Sequence, residues 1–383
     1  MESTGQATAN VPALQVRNLR VVFHTYAGEV QAIDGVNLTV YKHELLGLVG
    51  ESGCGKSVTA LAIAGLLPEN AEVRSGEVLL DEKDLLKQGK NEIRLARLTE
   101  IALIFQDPMT YLNPVLSIGT QLTEMFTGNL RFYGEELIRF RLEQIEKRLA
   151  SGNGDSVEKR QELDRERERL TALRRDGGSR LKKREANRLA ILRSIEFLKM
   201  VRMPEPERIM KMYPFELSGG MRQRVMIAIA LVRRPKVLLA DEITTALDVT
   251  IQAQVLELTK ELRDKIDASI ILVTHDLGVV AQTCDRVAVM YAGNIVEVAS
   301  VNEMFTNPLH PYTKGLLSSI PRIDGPKEDL KSIGGSVPNL IHPPNGCRFH
   351  PRCPAAFGRC STFKPPLLEV KPGHFVACLL YGG

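Results

Sequence analysis

The chain has no apolar run that approaches the roughly 20 residues needed for a helix to cross a bilayer. Its first ten residues are polar and lack the basic and apolar regions of a secretory signal peptide. Net charge is also small, +4 in 383 residues, which does not by itself indicate nucleic-acid binding. These absences argue against a membrane-spanning or exported protein, and we expect the chain in the cytoplasm. In that compartment we do not expect the six cysteines to form structural disulfides, and metal binding is the better interpretation of any cluster among them.

Apolar and β-branched segments alternate along the chain with stretches that favour helices. At 44% hydrophobic and 25% charged residues the composition is that of a globular protein, long enough for two or three domains. The pattern predicts strands at Gln15–Phe23, Gln31–Val40, Glu44–Val49, Ile101–Phe105, Lys236–Ala240 and Ser269–Thr274. Strands that alternate with helices predict an α/β fold with a parallel sheet.

A glycine-rich loop follows the third predicted strand directly. Residues 50–57 fit the pattern G-x-x-x-x-G-K-[ST], in which backbone N–H groups surround phosphate oxygens. Lys56 would reach the β- and γ-phosphates, and the Ser57 hydroxyl would ligate Mg²⁺. The predicted nucleotide contacts of this loop are Gly50, Ser52, Gly53, Cys54, Gly55, Lys56, Ser57 and Val58.

The strand predicted at Lys236–Ala240 is followed by two acids. Asp241 is suited to hold Mg²⁺, and Glu242 is suited to polarise an attacking water. Alone, two acids at a strand end are more often a structural feature. Together with the phosphate-binding loop they predict a site of nucleotide hydrolysis.

The octet at residues 217–224, LSGGMRQR, indicates that the nucleotide is shared. Ser218 and the amides of Gly219 and Gly220 can lie at a helix N-terminus, where free N–H groups and the helix dipole attract an anion. This would be a second phosphate contact in a chain that already has one. The octet, including Gln223, resembles the signature of the ABC-type ATPases, which close as dimers over ATP.

Further motifs resemble the nucleotide-binding subunits of ABC transporters, in particular those of oligopeptide and dipeptide importers. The segments concerned are Phe105–Thr110, Leu112–Pro114, Tyr213–Pro214, Thr244–Thr250 and His310–Thr313. The resemblance implies a P-loop NTPase with an ABC nucleotide-binding domain over residues 14–320, whose helical subdomain occupies about 106–234. It also implies the signature residues Ser218, Gly219, Gly220 and Gln223 acting in trans on the partner's ATP.

The same resemblance implies roles for single residues. Gln106 would sense Mg²⁺ and the water, His275 would contact the γ-phosphate, and both would join Glu242 as catalytic residues. Mg²⁺ would be held by Ser57, Gln106 and Asp241. Asp248 would lie at the dimer interface. Tyr26 would stack on adenine, with Phe23 as its competitor. Ile243 departs from the family, which commonly has proline there.

Four cysteines gather in a proline-rich C-terminal stretch, for which we predict a separate module over residues 321–383. Cys347, Cys353, Cys360 and Cys378 are separated by 5, 6 and 17 residues, without the close pair usual in zinc sites. Four thiolates on an irregular loop suit a 4Fe–4S cluster, with zinc and unligated thiols as alternatives. This stretch resembles a C-terminal motif of the peptide-importer ATPases, some of which bind a 4Fe–4S cluster there, so the resemblance implies the same cofactor here.

Residues 131–193 differ from the rest of the chain in charge, with 18 basic against 12 acidic side chains. Glycine-rich turns near 151–154 and 176–179 divide the segment into three helical pieces. Apolar seams are predicted at Ile138, Leu142, Ile145 and Leu149, and at Ile191, Ile195 and Leu198. We expect an inserted helical arm at about 134–190, either a solvated decoration or a contact for membrane loops, anionic lipid or another subunit.

The resemblance therefore implies an ATPase that energises a membrane importer, with di- or oligopeptides as the expected cargo, by ATP-driven dimer closure. Its partners would be a second, related ATPase subunit, two permease subunits and an extracytoplasmic substrate-binding protein, at the cytoplasmic face of a prokaryotic membrane. The alternative is a soluble ABC-type ATPase that acts on nucleic acid through the basic arm. The cargo cannot be read from these residues because the ATPase does not touch it.

Overall fold

The computed structural model describes residues 11–105, 107–151, 156–175, 181–243, 248–319 and 333–382. Gln106 and the segment 244–247, to which the sequence assigns motif roles, lie outside these ranges. The chain divides into two compact units. The first unit comprises residues 1–106, 235–245 and 259–383, and the second comprises 107–234 and 246–258.

The strands all belong to the first unit and form two sheets. They are β1 Pro12–Thr25, β2 Gly28–Tyr41, β3 Leu45–Val49, β4 Ala71–Leu80, β5 Lys83–Asp84, β6 Ile101–Ile104, β7 Val237–Asp241, β8 Ser269–Thr274, β9 Arg286–Tyr291, β10 Asn294–Ser300, β11 Leu368–Lys371 and β12 His374–Val376. Four of them form an antiparallel sheet in the order β2-β1-β4-β5. The other eight form a mixed sheet in the order β11-β12-β10-β9-β3-β8-β7-β6.

Helices connect the strands of the first unit and build the second unit. They are α1 Lys56–Ile63, α2 Lys90–Thr99, α3 Pro108–Tyr111, α4 Ile118–Thr127, α5 Leu130–Ser151, α6 Val157–Arg175, α7 Lys183–Met200, α8 Pro206–Ile209, α9 Gly219–Val232, α10 Val249–Ile266, α11 Leu277–Thr283, α12 Val301–Thr306 and α13 Pro311–Ser318. No helix of the described ranges is both long enough and apolar enough to cross a membrane.

The predicted parallel sheet is present, but it is only one part of a larger mixed sheet. Strands β9, β3, β8, β7 and β6 run parallel, and every residue of β3, β7 and β8 is buried. Continuous apolar runs of this kind are typical of parallel strands covered on both faces. The same sheet has an antiparallel part that the strand pattern did not predict, in which β10 pairs with β9 and β12 pairs with β10. The C-terminal stretch thereby adds two strands to the main sheet.

The second unit contains the basic segment as three helices, α5, α6 and α7, which end and begin next to the predicted turns. Three of the four residues of the first predicted seam, Ile138, Leu142 and Ile145, are buried, and the fourth, Leu149, is partly buried. The seam predicted on α7 is wrong at Ile191, which is exposed. The buried face of α7 instead includes Arg193, whose guanidinium pairs with a glutamate of α5 and lies over two phenylalanine rings.

Candidate ATP site

The phosphate-binding loop joins β3 to α1, and its glycines are required by close approaches of the backbone. A Cβ on Gly50 would lie 2.1 Å from the Met290 carbonyl oxygen, and one on Gly55 would lie 2.8 Å from the Ala32 carbonyl oxygen. Gly55 also has φ +110°, a conformation that L side chains rarely adopt. The loop is therefore packed tightly at Gly50 and Gly55, whereas a Cβ on Gly53 would meet no atom within 4 Å.

Lys56 is the first residue of α1, and its side chain is buried inside the loop. Its ammonium group donates to the carbonyl oxygens of Gly50 at 2.8 Å and Glu51 at 3.1 Å. The ammonium group also lies 3.8 Å from Cys54 Sγ. A buried cation whose neighbours are carbonyl dipoles and a neutral thiol is available to an anion that enters the loop. This is the geometry that the motif predicts for a phosphate ligand.

Ser57 and Asp241 bring the two halves of the predicted Mg²⁺ site together. The Ser57 hydroxyl donates to Asp241 Oδ1 at 3.2 Å, although 184 positions separate them. Asp241 ends β7 with 9% of its surface exposed. Burial raises the pKa of its carboxyl group, and the neighbouring Glu242 raises it further, while the Ser57 hydrogen bond and Lys56 act in the opposite direction. A hydroxyl and a carboxylate form the oxygen donor set that Mg²⁺ prefers.

Glu242 and His275 lie next to each other at the ends of the neighbouring parallel strands β7 and β8. His275 Nδ1 is 3.2 Å from Glu242 Oε1. Glu242 has φ +48°, and its backbone N–H donates to the Val273 carbonyl at 2.9 Å, which fixes the direction of its side chain. Ligands in open α/β sheets bind beyond the carboxyl ends of the strands, where these two residues lie. Gln106, the third predicted catalytic residue, is outside the described residues.

The two candidates for the adenine contact differ in exposure. Tyr26 lies in the turn between β1 and β2, and its ring is fully exposed. Phe23 is partly buried and packs on the core of the first unit. Of the two rings, that of Tyr26 is therefore the more accessible to a ligand.

The signature residues belong to the second unit and begin α9. Ser218 is the N-cap, and its Oγ accepts from the Met221 N–H at 3.4 Å. A hydroxyl that accepts in a cap still has its own proton to donate. Gly220 packs so closely that a Cβ would lie 2.5 Å from Ile251 Cγ2. Gln223 is buried, and its Nε2 has no hydrogen-bond partner within the described ranges.

Asp248 precedes α10 in the second unit and is exposed. Its Oδ1 accepts from the Ile251 N–H at 2.9 Å, and its carbonyl accepts from Gln252. The residue therefore caps the helix, and its role at a dimer interface stays a prediction.

The prediction of an iron–sulfur cluster is wrong. The part of the chain that the structure describes includes all four C-terminal cysteines, yet it has no group of three or more His, Cys, Asp or Glu side chains placed to hold a metal ion. The zinc alternative fails for the same reason. Burial raises the pKa of Cys347 to about 11 and also raises the pKa of Cys353 and Cys378. A metal-binding thiol has to lose its proton, so this environment works against ligation.

Comparison with known proteins agrees with this site. The ABC transporter family model matches residues 33–245, and the model of the oligopeptide/dipeptide transporter C-terminal region matches residues 296–360. The chain belongs to the ABC transporter family. It is an ABC-type ATPase of the oligopeptide and dipeptide transport group.

The relatives place it more narrowly. The chain is 45% identical to the oligopeptide transport ATP-binding protein AppD of Bacillus subtilis, over 96% of both chains. It is 44% identical to the dipeptide transport ATP-binding protein DppD of the same organism, over 96% of this chain and 94% of DppD. It is also 41% identical to OppD of Escherichia coli, over 97% of this chain and 96% of OppD. These relatives give no support to the nucleic-acid alternative.

Solved structures support the cassette fold. The dimeric bacterial ABC transporter cassette MJ0796 matches with a TM-score of 0.52 and 24% identity, over 75% of this chain and 98% of that chain. CbiO1 of Clostridium perfringens, part of the transporter complex cbiONQ, matches with a TM-score of 0.53 and 23% identity, over 78% and 92% respectively. At these identities the likeness shows the fold alone.

Sequence reasoning gave no role to Glu51, the first variable residue of the phosphate-binding loop. Its carboxylate pairs with Arg352, at 2.7 and 3.0 Å. The two residues are 301 positions apart, and no local pattern in the sequence signals such a contact.

Proposed function

We propose that this ATPase energises a membrane importer of di- or oligopeptides. The arrangement that carries the proposal is the convergence of Lys56, the Ser57–Asp241 pair and the Glu242–His275 pair at the carboxyl ends of β3, β7 and β8. The printed names of the relatives, which are oligopeptide and dipeptide transport ATP-binding proteins, supply the cargo class.

The mechanism follows from what each side chain can do. The Lys56 ammonium group would exchange its hydrogen bonds to two carbonyl oxygens for hydrogen bonds to the phosphates. The phosphates are the stronger acceptors because they are negatively charged. Ser57 and Asp241 would hold Mg²⁺, which neutralises charge that develops on the phosphate oxygens. Glu242 accepts a proton from the attacking water, and His275 holds the carboxylate in one direction through the 3.2 Å contact. Gln106 would complete the site.

The signature would act on the nucleotide of a partner ATPase. Ser218 can donate its hydroxyl proton to a phosphate while its oxygen still caps α9. The amides of Gly219 and Gly220, in the first turn of a 14-residue helix, add N–H groups and the favourable end of the dipole. Gln223 would belong to the same contact, and Asp248 would lie at the interface. Closing and reopening of the dimer would drive the membrane subunits between two states.

Other parts of the proposal concern ligands and partners. Tyr26 would stack on adenine, because its ring is exposed at the turn between β1 and β2. The partners would be a related second ATPase, two permeases and a substrate-binding protein, at the cytoplasmic face of the membrane. We also propose that α5, α6 and α7 form an arm inserted in the helical subdomain. Its exposed basic residues Lys182, Lys183 and Arg184 would contact a partner or anionic lipid.

A substitution at Glu242 tests the hydrolytic assignment. Glu242→Gln keeps the shape of the side chain but removes the carboxylate that accepts the proton. We expect ATP binding to be retained and hydrolysis to fall by about 10²- to 10⁴-fold. Glu82→Gln, an exposed carboxylate in the turn between β4 and β5, serves as the control. Hydrolysis of Glu242→Gln near the wild-type rate would overturn the assignment.

Reconstitution tests the cargo. The complex of this ATPase with its permeases in proteoliposomes should hydrolyse ATP faster when its binding protein is loaded with a peptide. Glu242→Gln should abolish uptake of labelled peptide by the same vesicles. The arm is tested separately, by replacing Lys182, Lys183 and Arg184 with glutamate. If assembly and transport are unchanged in this variant, the arm is a solvated decoration and not a contact surface. Stimulation by DNA and not by peptide would reject peptide import.

A further inference from the structure

The phosphate-binding loop is held from behind by the C-terminal part of the chain. Arg352 lies on a short helical turn, His350–Arg352, and its side chain is only 6% exposed. Its two terminal nitrogens bind the two carboxylate oxygens of Glu51 at 2.7 and 3.0 Å. Such a parallel pair of charge-assisted hydrogen bonds is the strongest and most directional contact between these side chains.

Arg352 is itself held in place by further contacts. Its Nε donates to the Gly334 carbonyl at 2.9 Å, and its terminal nitrogens reach the Ile333 carbonyl and the Tyr291 hydroxyl, both at 3.3 Å. Every N–H direction used here ends on an oxygen acceptor, so the guanidinium has one orientation. The Arg352 guanidinium that binds Glu51 is therefore held rigidly.

A second contact reaches the same loop residue by its backbone. The Glu51 N–H donates to the hydroxyl oxygen of Tyr312, at 2.9 Å. Tyr312 is fully buried, and its ring packs against those of Tyr291 and Phe349 at centroid distances of 4.6 and 5.3 Å. Tyr312 and Arg352 both lie within residues 296–360, the segment matched by the C-terminal family model.

Glu51 connects these contacts to the phosphate-binding lysine. Its carbonyl oxygen accepts from Lys56 Nζ at 3.1 Å and from the Cys54 N–H at 3.3 Å. The side chain, the N–H and the carbonyl of one residue thus each have a partner, and two of these come from the C-terminal part of the chain. Small displacements of Glu51 would move the acceptor of Lys56 and the amides that follow it.

We propose that Arg352 is a positioning residue for ATP binding, which acts through Glu51 to hold the phosphate-binding loop and Lys56 in the conformation that accepts phosphates. The inference rests on the proposed function of this loop. A loop that is already in its binding conformation does not have to be ordered when ATP binds. A loop that is loosened has to be ordered at that moment, and this cost weakens the affinity for ATP. The C-terminal segment would in this way set how tightly the ATPase binds its nucleotide.

The test measures ATP affinity and hydrolysis for Arg352→Ala in the full-length chain. We expect the dissociation constant for Mg·ATP, measured with a fluorescent analogue, to rise by about 2- to 30-fold, the range of coupling free energies for residues outside a site. KM should rise with it, while kcat at saturating ATP should fall less than threefold, because Arg352 does not touch the reacting atoms. Arg352→Lys keeps the charge but not the pair of parallel hydrogen bonds, so its dissociation constant for Mg·ATP should lie between those of the wild type and Arg352→Ala.

Arg348→Ala is the matched control. Arg348 comes from the same segment and its side chain is equally buried, but it contacts Gln31, the Ala292 carbonyl and the Asp34 carboxylate rather than Glu51. Arg348→Ala should lower the thermal midpoint of unfolding about as much as Arg352→Ala does, but it should weaken ATP affinity less. Glu51→Gln weakens the same contact from the loop side without removing a buried cation, and it decides the question if Arg352→Ala does not fold. The double variant Glu51→Gln/Arg352→Ala should bind no more weakly than Arg352→Ala alone.

Two results would overturn the inference. One is wild-type ATP affinity in Arg352→Ala or Glu51→Gln, and the other is an equal loss of affinity in Arg348→Ala. A wild-type protein that binds no Mg·ATP would instead reject the proposed function of the loop, so the two failures are distinguishable.

Discussion

Replacing Asp241 by asparagine should stabilise the protein without ligand and abolish its response to Mg·ATP. In the folded chain the pKa of Asp241 is raised, chiefly by burial and also by Glu242. In the unfolded chain the pKa of an aspartate is about 3.9. A carboxyl with a raised pKa contributes stability below its unfolded pKa and loses it as pH rises through the folded pKa. At neutral pH the buried charge is therefore a net cost to folding.

Asparagine removes that charge and keeps an oxygen that can accept from Ser57. We expect a gain on the order of 0.5–2 kcal/mol at pH 7.5, the usual range for a single stabilising substitution. For a chain of 383 residues this corresponds to about 1–2 °C in the thermal midpoint. The gain should shrink as pH is lowered, because the raised pKa makes the wild-type carboxyl take up its proton at a higher pH in the folded state than in the unfolded state.

Mg·ATP should reverse the order of stability of the wild type and Asp241→Asn. At a concentration of about 100 times Kd, Mg²⁺ with a non-hydrolysable ATP analogue stabilises a binding-competent protein by about 2.7 kcal/mol. Asp241→Asn lacks the carboxylate ligand and should gain far less, so wild type should then unfold at the higher temperature. Thermal unfolding with and without ligand at several pH values measures both effects, with Glu82→Gln as the control. A ligand-free variant less stable than wild type at pH 7.5 would refute the reasoning.

Three further predictions concern other parts of the molecule. Glu297→Gln should lower the free energy of unfolding by about 1–3 kcal/mol in urea titrations, because the buried carboxylate accepts from His374 and two backbone N–H groups and the amide cannot accept at both positions; an unchanged midpoint would contradict this. Gly220→Ala should cost about 1–3 kcal/mol through its contact with Ile251, and Ile251→Ala should relieve it. Cys347 has a pKa of about 11, so its labelling by an uncharged thiol reagent should rise about tenfold per pH unit between 7 and 10. A rate that is already maximal at pH 7 would show an ionised thiol.

The nucleotide site could be predicted largely from the sequence because its chemistry is local. A phosphate-binding loop needs glycines and a lysine at fixed spacing between a strand and a helix, and β3 and α1 provide that frame. Asp241 and Glu242 were found in the same way, at the end of a strand whose every residue is buried. The structure added the distance between Ser57 and Asp241, which spacing along the chain cannot give.

The predictions failed where tertiary contacts override local pattern. On α7 an apolar seam through Ile191 would satisfy the helical period, yet Arg193 takes the buried position because an ion pair and two aromatic rings compensate its charge. The cysteines failed for another reason. Composition brings four thiols into one stretch of chain, but ligation also requires side chains that converge, and spacing alone does not determine convergence.

The contact between Glu51 and Arg352 has a consequence for exchanging parts between related ATPases. Glu51 occupies a position that the motif leaves variable, so a chimera that took its nucleotide-binding half from one protein and its C-terminal segment from another would keep an intact motif. It would nevertheless place an unmatched side chain opposite Arg352 whenever the donor lacks an acid at that position. Interchangeable halves would therefore have to be chosen by this pair of residues as well as by the motif.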